Sequence, residues 1–145
     1  MKNTIFTIAI VFASLFSMAQ NAQVITKAEP VLIGSSLYNN PTMCSLHFIP
    51  DHNVYVFSYM HQQYKYTYGY RSFSMDQDAL DLLKSCIIMI CKSEKNETVS
   101  IRFGETEVTL KKIAGCVEFV IFKDNDLTQT TLTKAQLKST FKINL

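Results

Sequence analysis

The strongest constraint on the fold is a change of hydrophobic period near residue 98. Between Ala79 and Ile90 apolar residues recur every three or four positions, which predicts an amphipathic helix. Between Val99 and Leu110 apolar and polar residues alternate, which predicts half-buried strands. A helix with so broad an apolar face needs a sheet to pack on, so the sequence predicts a two-layer α+β domain.

Strand-like runs lie on both sides of this helix and give the order β-β-β-α-β-β-β-α. We expect an antiparallel sheet of five to six strands with two helices packed mainly on one face. The run 117–122 is almost continuously apolar, which predicts a central strand covered on both faces. The predicted strands are Cys44–Ile49, Val54–Met60, Tyr64–Arg71, Val99–Phe103, Val108–Leu110 and Val117–Phe122, with Val31–Gly34 as a further candidate.

Both predicted helices carry a capping-box pattern at their start. Ser74 with Gln77 marks the first helix, and Thr133 with Gln136 marks the second. The polar run after Lys92 predicts the end of the first helix.

The N-terminus has the pattern of a cleavable secretory signal peptide over residues 1–19. Lys2 is followed by an uncharged apolar stretch, and Ser17 and Ala19 are small residues before a cut at Gln20. The apolar stretch is shorter than the roughly 18 residues that a spanning helix needs. We therefore expect export to the bacterial periplasm or beyond, with no stable membrane insertion after cleavage and one domain over residues 20–145. A cut after Ala22 is the alternative.

The charge pattern argues against a nucleic-acid partner. The formal net charge is +2, and the basic residues are scattered, with Lys111-Lys112 the densest pair after the signal sequence. A phosphate-binding surface needs a clustered basic stripe.

Four cysteines follow the signal sequence: Cys44, Cys86, Cys91 and Cys116. An even number in an oxidising compartment favours disulfides. Cys86 and Cys91 lie five positions apart on the predicted helix, about 8 Å between Cα atoms and too far to bridge. Two cross-links from this helix to Cys44 and Cys116, a single Cys44–Cys116 bridge, or four buried free thiols remain as alternatives.

No common catalytic, metal-binding or phosphate-binding motif occurs in the sequence. His47, His52 and His61 are expected to be solvated, and we predict neither a metal nor a cofactor.

The most suggestive feature is a stripe of tyrosines. Alternation along a strand would place four rings on one face, and two tyrosines of the preceding strand would join them. A row of amphipathic rings can bind a sugar or a peptide, although tyrosine also simply favours half-buried sheets. The candidate ligand-binding residues are Tyr55, Tyr59, Tyr64, Tyr66, Tyr68 and Tyr70.

These features favour a non-catalytic binding or interaction module of the cell envelope. Its partner would be an envelope protein, a peptide or a glycan. One alternative is an inhibitor or immunity-type protein that blocks another exported protein. Another is a hydrolase whose catalytic residues meet only in the fold.

Overall fold

The computed structural model describes residues 27–37, 42–64, 67–94 and 97–145. Side chains 42, 62–64, 67 and 68 are not described. The predicted signal peptide, residues 1–19, and both candidate cleavage sites lie outside the described residues, so cleavage and export stay predictions.

Within these ranges the chain forms eight strands and two helices, which confirms the α+β class. The strands make two separate four-stranded antiparallel sheets instead of one sheet of five to six strands, in the orders β1-β2-β3-β4 and β5-β6-β7-β8. The elements are β1 Val31–Leu37, β2 Thr42–Ile49, β3 Val54–Tyr64, β4 Thr67–Met75, α1 Gln77–Lys92, β5 Thr98–Phe103, β6 Thr106–Ile113, β7 Cys116–Lys123, β8 Asp126–Thr133 and α2 Lys134–Phe141.

The two halves of the chain have the same element order, a four-stranded meander followed by a helix. Each helix follows the four strands of its own half along the chain and packs on the sheet of the other half. α1 contacts β5, β6 and β7 of the C-terminal sheet, and α2 contacts β1 and β2 of the N-terminal sheet. The sheets are therefore separated along the chain by α1 but share one interior.

A cluster of aromatic rings joins the two sheets and α2 in this interior. The Phe57 ring centroid lies 5.9 Å from that of Phe119 and 5.2 Å from that of Phe141. All three side chains are buried. We call the side of each sheet that faces this cluster the inner face, and the opposite side the outer face.

Strand β8 was absent from the sequence prediction because its inner positions are mostly polar. Thr128, Thr130 and Leu132 point inward and are buried. Two threonines among three inner positions remove the apolar alternation on which strand prediction depends. The high β propensity of threonine was the signal that could have found this strand.

The predicted cap of the second helix is confirmed and that of the first is wrong. Thr133 and Gln136 form a complete capping box at α2. At α1 the cap is Asp76, whose Oδ1 accepts from the Ala79 N–H at 2.8 Å. Ser74 instead pairs with Val56 in β4, so the sheet ladder prevails over the local cap at this position.

Three further details connect the prediction with the fold. β7 is central in its sheet as expected, but its outer side is not fully covered, since Phe122 is 45% exposed. At Gly34, α2 crosses β1 so closely that a Cβ would overlap the carbonyl oxygens of Ser139 and Thr140. None of the helices in the described ranges is long and apolar enough to cross a membrane.

Candidate functional site

The structure separates the predicted tyrosines instead of joining them. Tyr59 pairs with Arg71, whereas Met60 pairs with Tyr70, so Tyr59 and Tyr70 lie on opposite faces of the N-terminal sheet. Tyr59 faces the core and is 2% exposed, whereas Tyr70 faces outward and is 56% exposed. Only Tyr70 of this pair is accessible to a ligand.

The other four tyrosines add no further exposed ring to the described surface. The half-buried Tyr55 packs 4.9 Å from the Phe48 ring, and its hydroxyl donates to Gln77 Oε1 at 2.6 Å, which ties β3 to the start of α1. Tyr66 lies outside the described residues, and so do the side chains of Tyr64 and Tyr68.

The outer face around Tyr70 contains no Asp, Glu, Lys or Arg among the residues that the structure describes. The outer face of the C-terminal sheet differs, because it carries the Arg102–Glu107 ion pair at 2.8 Å and Lys111 opposite Glu118. Protein surfaces normally carry dispersed charges of both signs. The outward residues of the N-terminal sheet are Leu32, Ser35, Met43, Ser45, His47, Ile49, Val54, Val56, Ser58, Met60, Tyr70, Ser72 and Ser74.

A row of four serines crosses this face, one from each strand. The pairs Ser35–Ser45, Ser45–Ser58 and Ser58–Ser72 are directly opposite one another in the register. Neighbouring strands are about 4.8 Å apart, so the row is about 14 Å long. We call it the serine trough, because larger side chains flank Ser45 and Ser58, and Tyr70 flanks Ser72.

From Ser45 on β2, exposure increases along the serine trough toward β4. Ser45 is buried, Ser35 and Ser58 are half-buried, and Ser72 is exposed. Tyr70 stands next to Ser72 along the face, two positions away on the same strand. The accessible part of the trough is therefore its β4 end.

Three side-chain contacts join this end of the N-terminal sheet to the tip of the β7–β8 hairpin. The Tyr59 hydroxyl lies 2.6 Å from Thr128 Oγ1, and Arg71 Nε lies 3.5 Å from Asp126 Oδ2. The Lys123 ammonium donates to the backbone oxygen of Ser72 at 3.4 Å. A cleft of about 150 Å³ opens between them, lined by Tyr59, Arg71, Ser72, Lys123, Asp124, Asp126 and Thr128.

The cleft contains charges of both signs. Two ion pairs occur within the described ranges, Arg71–Asp126 and Arg102–Glu107, and neither includes Lys123 or Asp124. Burial raises the pKa of Tyr59 at the cleft floor, and the Thr128 hydrogen bond and Arg71 partly offset this increase. Tyr59 thus stays a neutral hydroxyl below two cations and two carboxylates.

A fourth contact lies beside the cleft. His61 Nδ1 is 3.2 Å from the backbone N and 3.1 Å from the backbone O of Gln129. It accepts from the first or donates to the second, depending on its tautomer. Either bond satisfies a backbone group of β8, which is the edge strand of its sheet.

The cysteines and histidines do not assemble into a reactive centre in the part of the chain that is described. All four cysteines are free thiols, and no group of three metal-ligating side chains is found there. Cys44 Sγ lies 3.0 Å from Ser36 Oγ and 3.2 Å from Thr140 Oγ1. Desolvation raises the pKa of Cys44, Cys86 and Cys91, which makes these thiols less reactive.

The sequence predictions missed the serine trough and the cleft. Ser58 lies between Phe57 and Tyr59, and Ser72 lies between Arg71 and Phe73, but only the strand register shows that the two serines are opposite each other. The contact of the 123–126 segment with β4 depends on strand β8, which the sequence analysis did not predict. No protein-family model, curated protein or solved structure matches this chain.

Proposed function

We propose that this chain is an exported, non-catalytic binding module of the bacterial cell envelope that binds a neutral glycan across the β4 end of the serine trough. The observation that carries the proposal is an outer face whose described residues include no Asp, Glu, Lys or Arg, and on which exposed Tyr70 lies beside the hydroxyl row. An exported location rests on the signal-peptide pattern of residues 1–19.

The chemistry of this face matches a sugar better than a charged ligand. Each serine hydroxyl both donates and accepts, as do the hydroxyl groups of a glycan. An exposed tyrosine ring offers a flat apolar surface to the C–H groups of a sugar ring. Apart from His47, the described part of the face offers no ionisable side chain that could pair with an ionic group.

An extended peptide is a weaker candidate, because the edge of β4 is partly occupied. Peptides commonly add a strand to an exposed sheet edge through main-chain hydrogen bonds. On β4, Arg71 Nη1 donates to the oxygen of Tyr70 at 3.3 Å, and Lys123 donates to that of Ser72. Charged side chains on an edge strand oppose strand addition.

The proposal is tested by titrating ¹⁵N-labelled protein with the neutral oligosaccharides cellohexaose and chitohexaose. We expect the largest changes of NMR chemical shift at the backbone amides of Ser58, Tyr70 and Ser72. Tyr70→Ala should weaken binding about threefold to tenfold, from the loss of one ring contact. Phe122→Ala is the matched control, since it removes an exposed ring from the outer face of the other sheet.

A charge introduced into the trough gives a second test. Ser58→Asp should abolish binding of a neutral glycan, because the ligand would have to cover an unpaired carboxylate. Thr109→Asp makes the same change on the other outer face and should have no effect. Equal effects of the two aspartates, or no shifts at Tyr70 with either oligosaccharide, would exclude this site.

The inhibitor alternative has one observation in its favour. Phe122 and Leu127 are cross-strand partners near the β7–β8 turn, and both are exposed. Exposed apolar pairs of this kind mark protein contacts when they belong to a larger patch. A stoichiometric complex with an exported enzyme that Phe122→Asp disrupts and Tyr70→Ala does not would favour this function over glycan binding.

A further inference from the structure

We propose that the cleft beside Ser72 binds the zwitterionic head group of an amino acid, with its ammonium and carboxylate on one carbon. The head group could be free or attached to the end of a glycan, and only the second form rests on the proposed function. Ser72 belongs to both the cleft and the serine trough, so one ligand could span the two.

The charges of the cleft complement this head group. Lys123 and Asp124 each lack an ion-pair partner among the described residues, and they contribute one cation and one carboxylate to the lining of the cleft. A group with a single charge would satisfy one of them and leave the other unmatched. A zwitterion can pair with both Lys123 and Asp124, because it carries its two charges at a short and fixed distance from each other, as the cleft requires.

Arg71 adds a second donor for the ligand carboxylate. Its Nε faces Asp126, and its Nη1 donates to the Tyr70 oxygen, which leaves further guanidinium N–H groups for a ligand. Asp126 also holds Arg71 in place. Charge-assisted hydrogen bonds from Arg and Lys to a carboxylate are short and strong.

The size of the cleft fits the same group. Its volume of about 150 Å³ is large enough to admit the five non-hydrogen atoms of an amino acid head group. The side chain of the amino acid, or a sugar attached to it, must then leave through the open side of the cleft.

The walls of the cleft are held in place before a ligand arrives. Lys123 and Asp126 form the last cross-strand pair of the β7–β8 hairpin, and Asp124 and Asn125 form its turn with φ of 53° and 59°. A two-residue turn with positive φ at both positions sets the geometry of the flanking residues tightly. The floor is fixed by the bond between Tyr59 and Thr128. A preformed site loses less entropy when a ligand binds.

The test titrates ¹⁵N-labelled protein with glycine, and with acetate and methylammonium at matched ionic strength. Glycine should shift the amides of residues 72 and 123–126, and neither single-charge probe should do so at equal concentration. Lys123→Gln and Asp124→Asn should each weaken glycine binding about tenfold or more. The controls are Lys111→Gln and Glu118→Gln, which remove the same charges from the outer face of the same sheet.

Equal shifts from acetate or methylammonium, or unchanged glycine binding in both cleft variants, would overturn the inference. Asn tolerates the positive φ at position 124, so Asp124→Asn keeps the turn intact. A far-UV spectrum and melting temperature equal to those of the parent protein confirm that a loss of binding is not a loss of fold.

A conjugate probe separates this inference from the proposed function. Cellotetraose linked through the side-chain oxygen of free serine presents a neutral glycan and an intact amino acid head group. Tighter binding than either glycine or cellotetraose alone would support both proposals, through the linkage of two weak sites. Glycine binding with no glycan binding would support the cleft and refute the glycan site. If the serine head group does not improve glycan binding, the glycan and the head group are not parts of one ligand. If glycine in addition causes no chemical-shift changes, the proposal for the cleft is refuted.

Discussion

The hydrogen bond between Tyr59 and Thr128 connects the two sheets at the cleft floor, and its removal has a calculable cost. Thr128 Oγ1 also lies 3.4 Å from the backbone oxygen of Ile121, so it donates there and accepts from Tyr59. Both side chains are buried. Tyr59→Phe deletes the donor and leaves Thr128 short of one partner, which should cost about 1–2 kcal/mol of unfolding free energy.

This cost converts into a measurable change of melting temperature. The entropy of unfolding is about 2.1 cal/mol/K per residue, so for the roughly 110 described residues 1 kcal/mol corresponds to about 4 °C. Tyr59→Phe should therefore lower the Tm by about 4–8 °C. Tyr70→Phe is the matched control, and it should change the Tm by less than about 2 °C because its ring is exposed.

A double-mutant cycle tests the bond itself. Thr128→Val leaves the Tyr59 hydroxyl at the cleft, where water can reach it, so we expect a smaller loss of about 0.5–1 kcal/mol. Urea denaturation of the parent, both single variants and the double variant should give a coupling energy of about 1 kcal/mol. A coupling below about 0.3 kcal/mol, or equal losses for Tyr59→Phe and Tyr70→Phe, would refute the reasoning.

Three further predictions concern the interior and the packing of α2. Gly34→Ala should destabilise the protein by about 3 kcal/mol or more, because the new Cβ overlaps the α2 backbone. The control Gly104→Ala lies in an open turn and should cost about 1 kcal/mol. Thermal unfolding compares the two variants, and equal losses of stability would contradict the close packing of α2 on β1. Thr130 has a buried hydroxyl with no hydrogen-bond partner among the described residues, so Thr130→Val should leave the urea midpoint unchanged or raise it. A clear decrease would show that the hydroxyl is paired. Burial raises the pKa of Cys44, so as the pH rises the folded state keeps the thiol proton after the unfolded chain has lost it. The free energy of unfolding should therefore fall as the pH rises above about 9. In denaturation experiments from about pH 7 to 10, Cys44→Ala should make that fall shallower.

The elements with a regular hydrophobic period were predictable from the sequence. The apolar positions of α1, including Leu80, Leu83, Ile87 and Ile90, are buried as the helical spacing indicates. The strands around Ile101 and Val108 follow the expected alternation for the same reason. These features depend on residues a few positions apart, which the sequence displays directly.

The division into two sheets could not be read in this way, because it depends on contacts between distant residues. Thr128 and Thr130 gave β8 no apolar pattern, so the second sheet lacked its edge strand in the prediction. Without β8 nothing indicated that Lys123 or Asp126 would meet β4, and the cleft could not be anticipated. Tyr59 and Tyr70 lie on opposite faces of the N-terminal sheet because of a strand register that the sequence does not determine by itself.

α2 packs on β1 and β2, which lie far from it in the sequence, and this packing affects the timing of folding. Ser139 Oγ donates to the Ser35 oxygen at 2.5 Å, and Thr140 contacts Cys44, across about a hundred positions of sequence. Long loops must close before such contacts can form, which slows folding. During synthesis the N-terminal sheet therefore has to wait for α2 to leave the ribosome. The nascent chain should remain unfolded and threadable until α2 has been synthesised, which is compatible with the export through a secretion channel that we propose.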